Sequence, residues 1–217
     1  MKKLNKNVCC EVRNVTKDDI PKITYFLRDI FFKDEPLNAF LELVTDDNPT
    51  CETLEEFTVG HIPDGVNLMA IKDNEIVGLC LCVSVNKVEQ QKIFDCQNEK
   101  YNKLVRLLDY ADKQCDPFQI YPECSRGISV QVISVAKSCR GMGIATTLLE
   151  KASVLAKEKG YQFITIACTS LYSSKLAEKL NFRVKFSLDY TDYKENGQIV
   201  FKPDPPHTAL TIYLKKL

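Results

Sequence analysis

The chain has 217 residues, 45% hydrophobic and 27% charged, which suits one domain with a sizeable core over residues 1–217. Its 29 Lys and Arg balance 29 Asp and Glu, so no bulk charge draws it to nucleic acid or to an anionic membrane, and only a local basic site is left for a phosphorylated ligand. The longest apolar run, Ile76 to Val85, is about half of a membrane span, and the Lys-rich start, Met1 to Asn7, leads into no apolar stretch; a cytoplasmic protein is expected.

Val8 to Val15 reads as a first strand. Thr16 opens a helix with Asp19 as its capping-box partner, and Ile20, Ile23, Phe26, Leu27, Ile30 and Phe31 follow at helical spacing. A short helix over Pro36 to Val44 begins on the residue favoured at the first helical position. Leu68 to Ile71 and Glu75 to Asn86 form a hairpin closed by Asp73-Asn74. Glu99 to Gln114 carries Leu104, Leu107, Leu108 and Ala111 on one helical face. Gly127 to Val135 is a Val/Ile-rich strand, and Gly141 to Lys159 an amphipathic helix ended by Gly160. Phe163 to Ala167 is a short apolar strand, Ser173 to Leu180 a helix, and Arg183 to Asp189 and Leu210 to Leu214 are late strands. This order predicts a mixed α/β (α+β) domain with a central sheet covered by helices.

The ten cysteines include Cys80 and Cys82 on one face of an apolar run, where free thiols act as small hydrophobes. With no CxxC pair and two histidines, no structural zinc site is expected.

The most informative local feature is VISVAKSCRGMGIATTLLEKA, Val132 to Ala152. A strand enters a turn holding Arg140, Gly141 and Gly143, and a helix starts at once. Such a start offers unpaired N–H groups and the positive end of a dipole, and glycines admit a ligand close to the backbone. Arg140 adds a fixed positive charge. The spacing is neither GxGxxG nor a P-loop. On these residues alone the turn is either an anion site or a tight connection.

The Arg-x-x-Gly-x-Ala spacing resembles the cofactor turn of the GNAT superfamily of N-acetyltransferases. Three further segments, FFKDEPLNAF (Phe31 to Phe40), CTSLYSSKLAEKLNF (Cys168 to Phe182) and DYTDYKENGQIVFKPDPPHTALTIYLKKL (Asp189 to Leu217), resemble insect arylalkylamine N-acetyltransferases of the dopamine N-acetyltransferase-like branch. In order and spacing they cover nearly the whole chain. The resemblance implies acetyl-CoA as co-substrate and a sheet splayed at the cofactor site. The pantetheine arm would lie between the strand ending at Val135 and the strand from Phe163, paired with backbone around Ile133 and Val135. The diphosphate would sit on the turn Arg140, Gly141, Met142, Gly143, Ile144, Ala145 and Thr146.

The same resemblance implies Glu35 as a base acting through water, with Thr169 and Ser173 as paired hydroxyls near the amine. Ser173 would also reach the cofactor sulfur. His207 would take part in proton transfer or line the pocket, and Tyr172 is an alternative acid. The residues by themselves allow plainer roles. Asp34 and Glu35 complement a helix N-terminus, Thr169 or Ser170 caps a helix, and His207 is a loop histidine. Phe31, Phe40, Phe182, Phe186, Tyr190 and Tyr193 are candidate pocket liners, although aromatic residues are more often core. The implied partner is a small amine of the dopamine, serotonin or tyramine type, turned over by a monomer or weak dimer. Alternatives are a non-aromatic amine such as a polyamine, or a non-catalytic acetyl-CoA-binding protein. The chain departs from the family at Asn181-Phe182, where Gly-Phe is usual. Asn48 to Pro63 and Lys87 to Cys124 match no family motif and are expected to shape the acceptor pocket.

Overall fold

The computed structural model describes residues 10–62, 65–87 and 97–217. The Lys-rich start, the first two residues of the strand expected from Val8, Cys9 and Cys96 lie outside them. Strand β1 (Glu11–Asn14) leads through a 3-10 turn to α1 (Ile20–Phe26), which widens into a π turn (Leu27–Phe31) before α2 (Phe32–Asp34) and α3 (Pro36–Leu41). Then come α4 (Glu52–Val59), β2 (Leu68–Lys72), β3 (Glu75–Asn86), α5 (Glu99–Gln114), α6 (Pro117–Ile120), β4 (Arg126–Val135) and α7 (Ile144–Glu158). The chain closes with β5 (Phe163–Cys168), α8 (Leu171–Lys179), β6 (Arg183–Asp189), a small hairpin of β7 (Lys194–Glu195) and β8 (Gln198–Ile199), and β9 (Ala209–Lys216).

Local chemistry accounts for most boundaries. The Thr16 amide donates to Asp19 Oδ2 at 2.8 Å, and Arg13 clamps the same carboxylate at 2.6 and 2.8 Å, which pins β1 to the start of the first helix. Asp73 and Asn74 both take positive φ, the two-residue turn that suits the twist of the hairpin they close. Asn181 takes φ 61°, so the left-handed residue after α8 is met without the family's glycine.

Some elements depart from the expected order. The sequence pattern read α1 and the π turn as one helix up to Phe31, and the short α2 was not expected. Helix α4 was not expected. Its Glu55 is held by Arg28 at 2.6 and 2.7 Å across 27 positions of chain, a tertiary tie that no local pattern encodes. The short α6 and the β7–β8 hairpin were likewise too brief to leave a periodicity. Helix α7 starts at Ile144 rather than Gly141, since Gly141 and Gly143 both take positive φ.

The main sheet has seven strands in the order β1-β2-β3-β4-β5-β9-β6. Every pairing is antiparallel except β4 with β5, which α7 links as a crossover. Both faces are covered. One core joins Ile144, Leu148, Leu149 and Ala152 of α7 to Val130 and Ile166 beneath. The other joins Ile23, Phe26, Leu27, Phe32 and Leu37 of the N-terminal helices to Leu104 and Leu107 of α5 and to Val132 and Ile212 of the sheet. Truncating one such buried leucine to alanine typically costs about 2–5 kcal/mol.

The decisive irregularity is in β4. Opposite β3 the register jumps between Leu81–Val132 and Cys82–Val130, leaving Gln131 as an extra, bulged residue. A bulge bends its strand. Pairing with β5 ends at Val130–Ile166 there, while β4 runs on to Val135 with β3 alone. The sheet is thus splayed at its centre, as expected.

Candidate active site

The stretch of β4 beyond Val130 keeps an edge free of β5, and it ends in the glycine turn. Val135, Cys139, Arg140, Gly141, Gly143, Ile144, Ala145 and Thr146 line a cleft of about 260 Å³ there, joined by Lys179 from α8. Gly141 (φ 77°) and Gly143 (φ 82°) adopt backbone that other residues resist, and a Cβ on either would point into open space. Together they leave the first amides of α7 facing outward, which suits a diphosphate. Of the residues expected here, Met142 does not line the cleft and its side chain is 51% exposed. Ile133 lies further down β4 and packs partly against the α7 core. Lys179 was missed. It reaches Thr146 Oγ1 at 3.3 Å because α8 packs beside α7, and its sequence neighbourhood gives no signal of that.

Arg140 is anchored from two sides. Its Nε donates to the Val135 carbonyl at 3.1 Å, and its Nη2 pairs with Asp34, which also pairs with Lys137 at 3.1 Å. The cationic turn therefore abuts the break between α2 and α3, where Glu35 sits.

Pro36 ends α2 and begins α3, so Glu35 is extended (φ −69°, ψ 124°) and caps α3. Its Oε2 accepts from the Asn38 amide at 2.7 Å, which fulfils the helix-start role that the residues alone suggested. Its Oε1 is buried and accepts no hydrogen bond of normal geometry from the described residues. Burial pushes the carboxyl above the usual range, against the opposing pull of the nearby Thr169 hydroxyl and the Asn38 and Leu37 amides.

Thr169 and Ser173 come in from the sheet side, where β5 ends and α8 begins. Ser170, not Thr169, caps α8, accepting from the Ser173 amide at 3.1 Å. This leaves the Thr169 hydroxyl near the Glu35 carboxyl. The Ser173 hydroxyl donates to the Ser170 carbonyl at 2.9 Å and lies near the buried Cys168 thiol, which burial pushes up to about 12. Tyr190 donates its hydroxyl to the Thr169 carbonyl at 2.7 Å and lies close enough for Glu35 to raise its pKa, after burial as the larger cause.

His207 follows the Pro205–Pro206 bond, and its Nδ1 accepts from the Leu171 amide at 3.2 Å. Partial burial lowers its pKa, and its ring meets Tyr172 edge to face at 5.5 Å. Tyr172 is 66% exposed. His207 thus braces the start of α8.

Aromatic residues gather on the Glu35 face. Phe201 contacts Phe40, Tyr190 and Tyr193 with centroids 6.0–6.4 Å apart, and Tyr193 leads on to Tyr110 at 5.6 Å. Phe31 and Phe186 pack on this core too. Phe182 does not: it belongs to the opposite core, with Lys215 over its ring at 5.2 Å. The Phe182 amide donates to the Ala177 carbonyl at 3.0 Å, which ties it to the end of α8 and to the core that helix joins, and the motif does not reveal that side. Phe201 and Tyr110 were missed: their ring contacts with Phe40 and Tyr193 are made by packing across the fold.

Among solved structures, arylalkylamine N-acetyltransferase 2 from Aedes aegypti superposes with a TM-score of 0.90 at 28% identity, covering 95% of this chain and 98% of that one. A Drosophila melanogaster polyamine N-acetyltransferase that catalyses formation of N-acetylagmatine gives 0.81 at 21% identity, over 96% and 100%. A mosquito arylalkylamine N-acetyltransferase like 5b gives 0.83 at 20%, over 96% and 100%. The two latter likenesses show the fold. Residues 27–182 match the family model described as the acetyltransferase (GNAT) family, and with a splayed seven-stranded sheet and the glycine turn at its open end, the chain belongs to the GNAT family of N-acetyltransferases.

Proposed function

We propose that the chain acts as one domain that acetylates the primary amine of a small arylalkylamine, with acetyl-CoA as donor. The observation that carries this is the buried Glu35 carboxyl beside the aromatic cluster that Tyr190 and Phe201 belong to. A primary alkylamine has a pKa near ~10, by analogy with lysine, and only its neutral form attacks. Glu35, shielded and raised above the usual carboxylate range, attracts the ammonium and accepts its proton, through water. Phe40 and Tyr193, which keep some exposure, would offer ring contacts to an aromatic tail, backed by the buried Tyr190 and Phe201.

Acetyl-CoA, when bound, supplies the activated acyl group. The chain's own residues fit it. The free edge of β4 at Ile133 and Val135 would hold its pantetheine amides, and the turn from Arg140 to Thr146, with Lys179, its phosphates. Ser173, near the end of β5, would donate to the departing sulfur, and Thr169 would steady the Glu35 carboxyl. Direct attack needs no acyl-cysteine, and Cys139 is a buried wall of the cleft.

The test is thiol release by purified protein with acetyl-CoA and a panel of dopamine, tyramine, tryptamine, agmatine and spermidine. Highest kcat/KM for the aromatic amines supports the reading. Turnover of agmatine or spermidine alone would sink it while leaving the family assignment untouched.

A further inference from the structure

Three buried side-chain oxygens accept no hydrogen bond of normal geometry from the described residues: Glu35 Oε1, with the Thr169 hydroxyl nearby, and Asn38 Oδ1 and Gln131 Oε1. Leaving such a group unpaired is destabilising, so each asks for a donor. Asn38 is 2% exposed and sits on α3, its own amide holding the other Glu35 oxygen. Gln131 is the bulged residue of β4, where the sheet opens. Val130 before it packs in the core under α7, so by strand alternation Gln131 faces the other way, toward the helices that carry Glu35. The bulge then repeats that facing at Val132, which joins the core of the N-terminal helices.

All three groups are oxygens and all lie on one side of the sheet. A carboxylate and two carboxamide carbonyls, all short of donors, match a ligand end that is rich in N–H. We propose that Gln131, with Asn38, is a specificity-determining residue that accepts the N–H donors of the primary amine held at Glu35. This rests on the reading of the Glu35 side as the amine site, but not on the aromatic nature of the amine. Two N–H donors remain on a neutral primary amine, and N-methylation removes one. The neutral carbonyl of Gln131 thus favours primary over N-methylated amines, a choice the lone Glu35 carboxylate makes less sharply.

The experiment is kinetic and thermal, on Gln131→Leu and, as a second variant, Asn38→Leu. Each is compared with wild type on the best amine of the panel and on its N-methyl derivative. The expected result for Gln131→Leu is an amine KM raised about three- to tenfold, the effect of one hydrogen bond, with the KM for acetyl-CoA unchanged. The preference for the primary amine should shrink by a similar factor, and the melting temperature should hold or rise, because an unpaired buried acceptor has gone. A variant that melts lower yet keeps the amine KM and the primary-to-methyl ratio would overturn the proposal and give the carboxamide to folding. If agmatine is the best amine, the aromatic reading fails while the Gln131 comparison is decided on agmatine and its N-methyl form.

Discussion

The glycine turn and the Glu35 side of the molecule touch through the Arg140–Asp34 pair, yet they are built by opposite means. The turn is contiguous in sequence, open and cationic, and it offers backbone amides plus the heads of Arg140 and Lys179. The Glu35 side is assembled from α2, α3, the end of β5 and the segment around Phe201, and it offers a buried anion, carbonyls and rings. A highly charged diphosphate can be held at the surface because helix-start amides and a guanidinium need little burial to bind it. A small amine has one useful charge, and only a shielded carboxylate can both attract it and take its proton near neutral pH. On the proposed reading, one side would serve affinity for a large common ligand and the other chemistry and choice.

The sharpest break in that comparison is Glu35→Gln. Turnover should fall about 10²- to 10⁴-fold, the usual span for a positioned base, with acetyl-CoA affinity kept, as calorimetry would show. In the wild type kcat/KM should rise with pH through the raised Glu35 pKa, and that limb should vanish in the variant. Stability should move the other way. Folding raises the Glu35 pKa, so its contribution is complete below the ordinary carboxylate range and is lost as pH climbs through the folded value. Melting curves should then show Glu35→Gln gaining on wild type as pH rises. Equal profiles would reduce Glu35 to a helix cap.

Arg140→Ala should act on the other side alone. The KM for acetyl-CoA should rise about tenfold, less at high salt, as expected of a half-exposed charge, while kcat on saturating amine and cofactor stays close to wild type. An unchanged KM would remove the guanidinium from the phosphate site.

Gly143→Val tests the backbone of the same turn. A β-branched residue at φ 82° costs roughly 1–2 kcal/mol, and the displaced amides should weaken acetyl-CoA several-fold in the same titration. Full affinity would show that the turn binds by charge alone.

The smallest effect is expected far from both sides. Asp19→Ala should lower stability by about 1 kcal/mol through loss of the capping box and the Arg13 clamp. Arg13 holds the Asp19 carboxyl far below the usual range, so its contribution is present above the unfolded pKa and disappears as pH falls through the folded one. Acid titration of wild type and variant should converge, with kinetics unaffected at neutral pH.

Much of this was readable along the chain. Helix α5 and strand β6 lie where their periodicity put them, and the hairpin turn at Asp73-Asn74 follows from two residues that accept positive φ. Arg140, Gly141 and Gly143 could be found because one short segment contains the strand end, the turn and the helix start. Glu35 was legible as a helix-start carboxylate, and only the family motif gave it a further role. Phe201, Tyr110, Lys179 and Gln131 were not legible at all: the contacts of Phe201 with Phe40, Tyr110 with Tyr193 and Lys179 with Thr146, and the bulge of Gln131 against β3, all join segments far apart in sequence.

The sequence by itself determined which segments could be helix or strand and where a phosphate-sized turn lies, because propensity, capping and glycine freedom act over a few residues. The tertiary structure alone decided that β4 parts from β5 at Val130, that Phe182 and Phe201 serve opposite faces, and that the Glu35 oxygen is shut away from water. Those outcomes depend on strand register and on what packs above, and burial is a property of the packed chain, not of any residue in it.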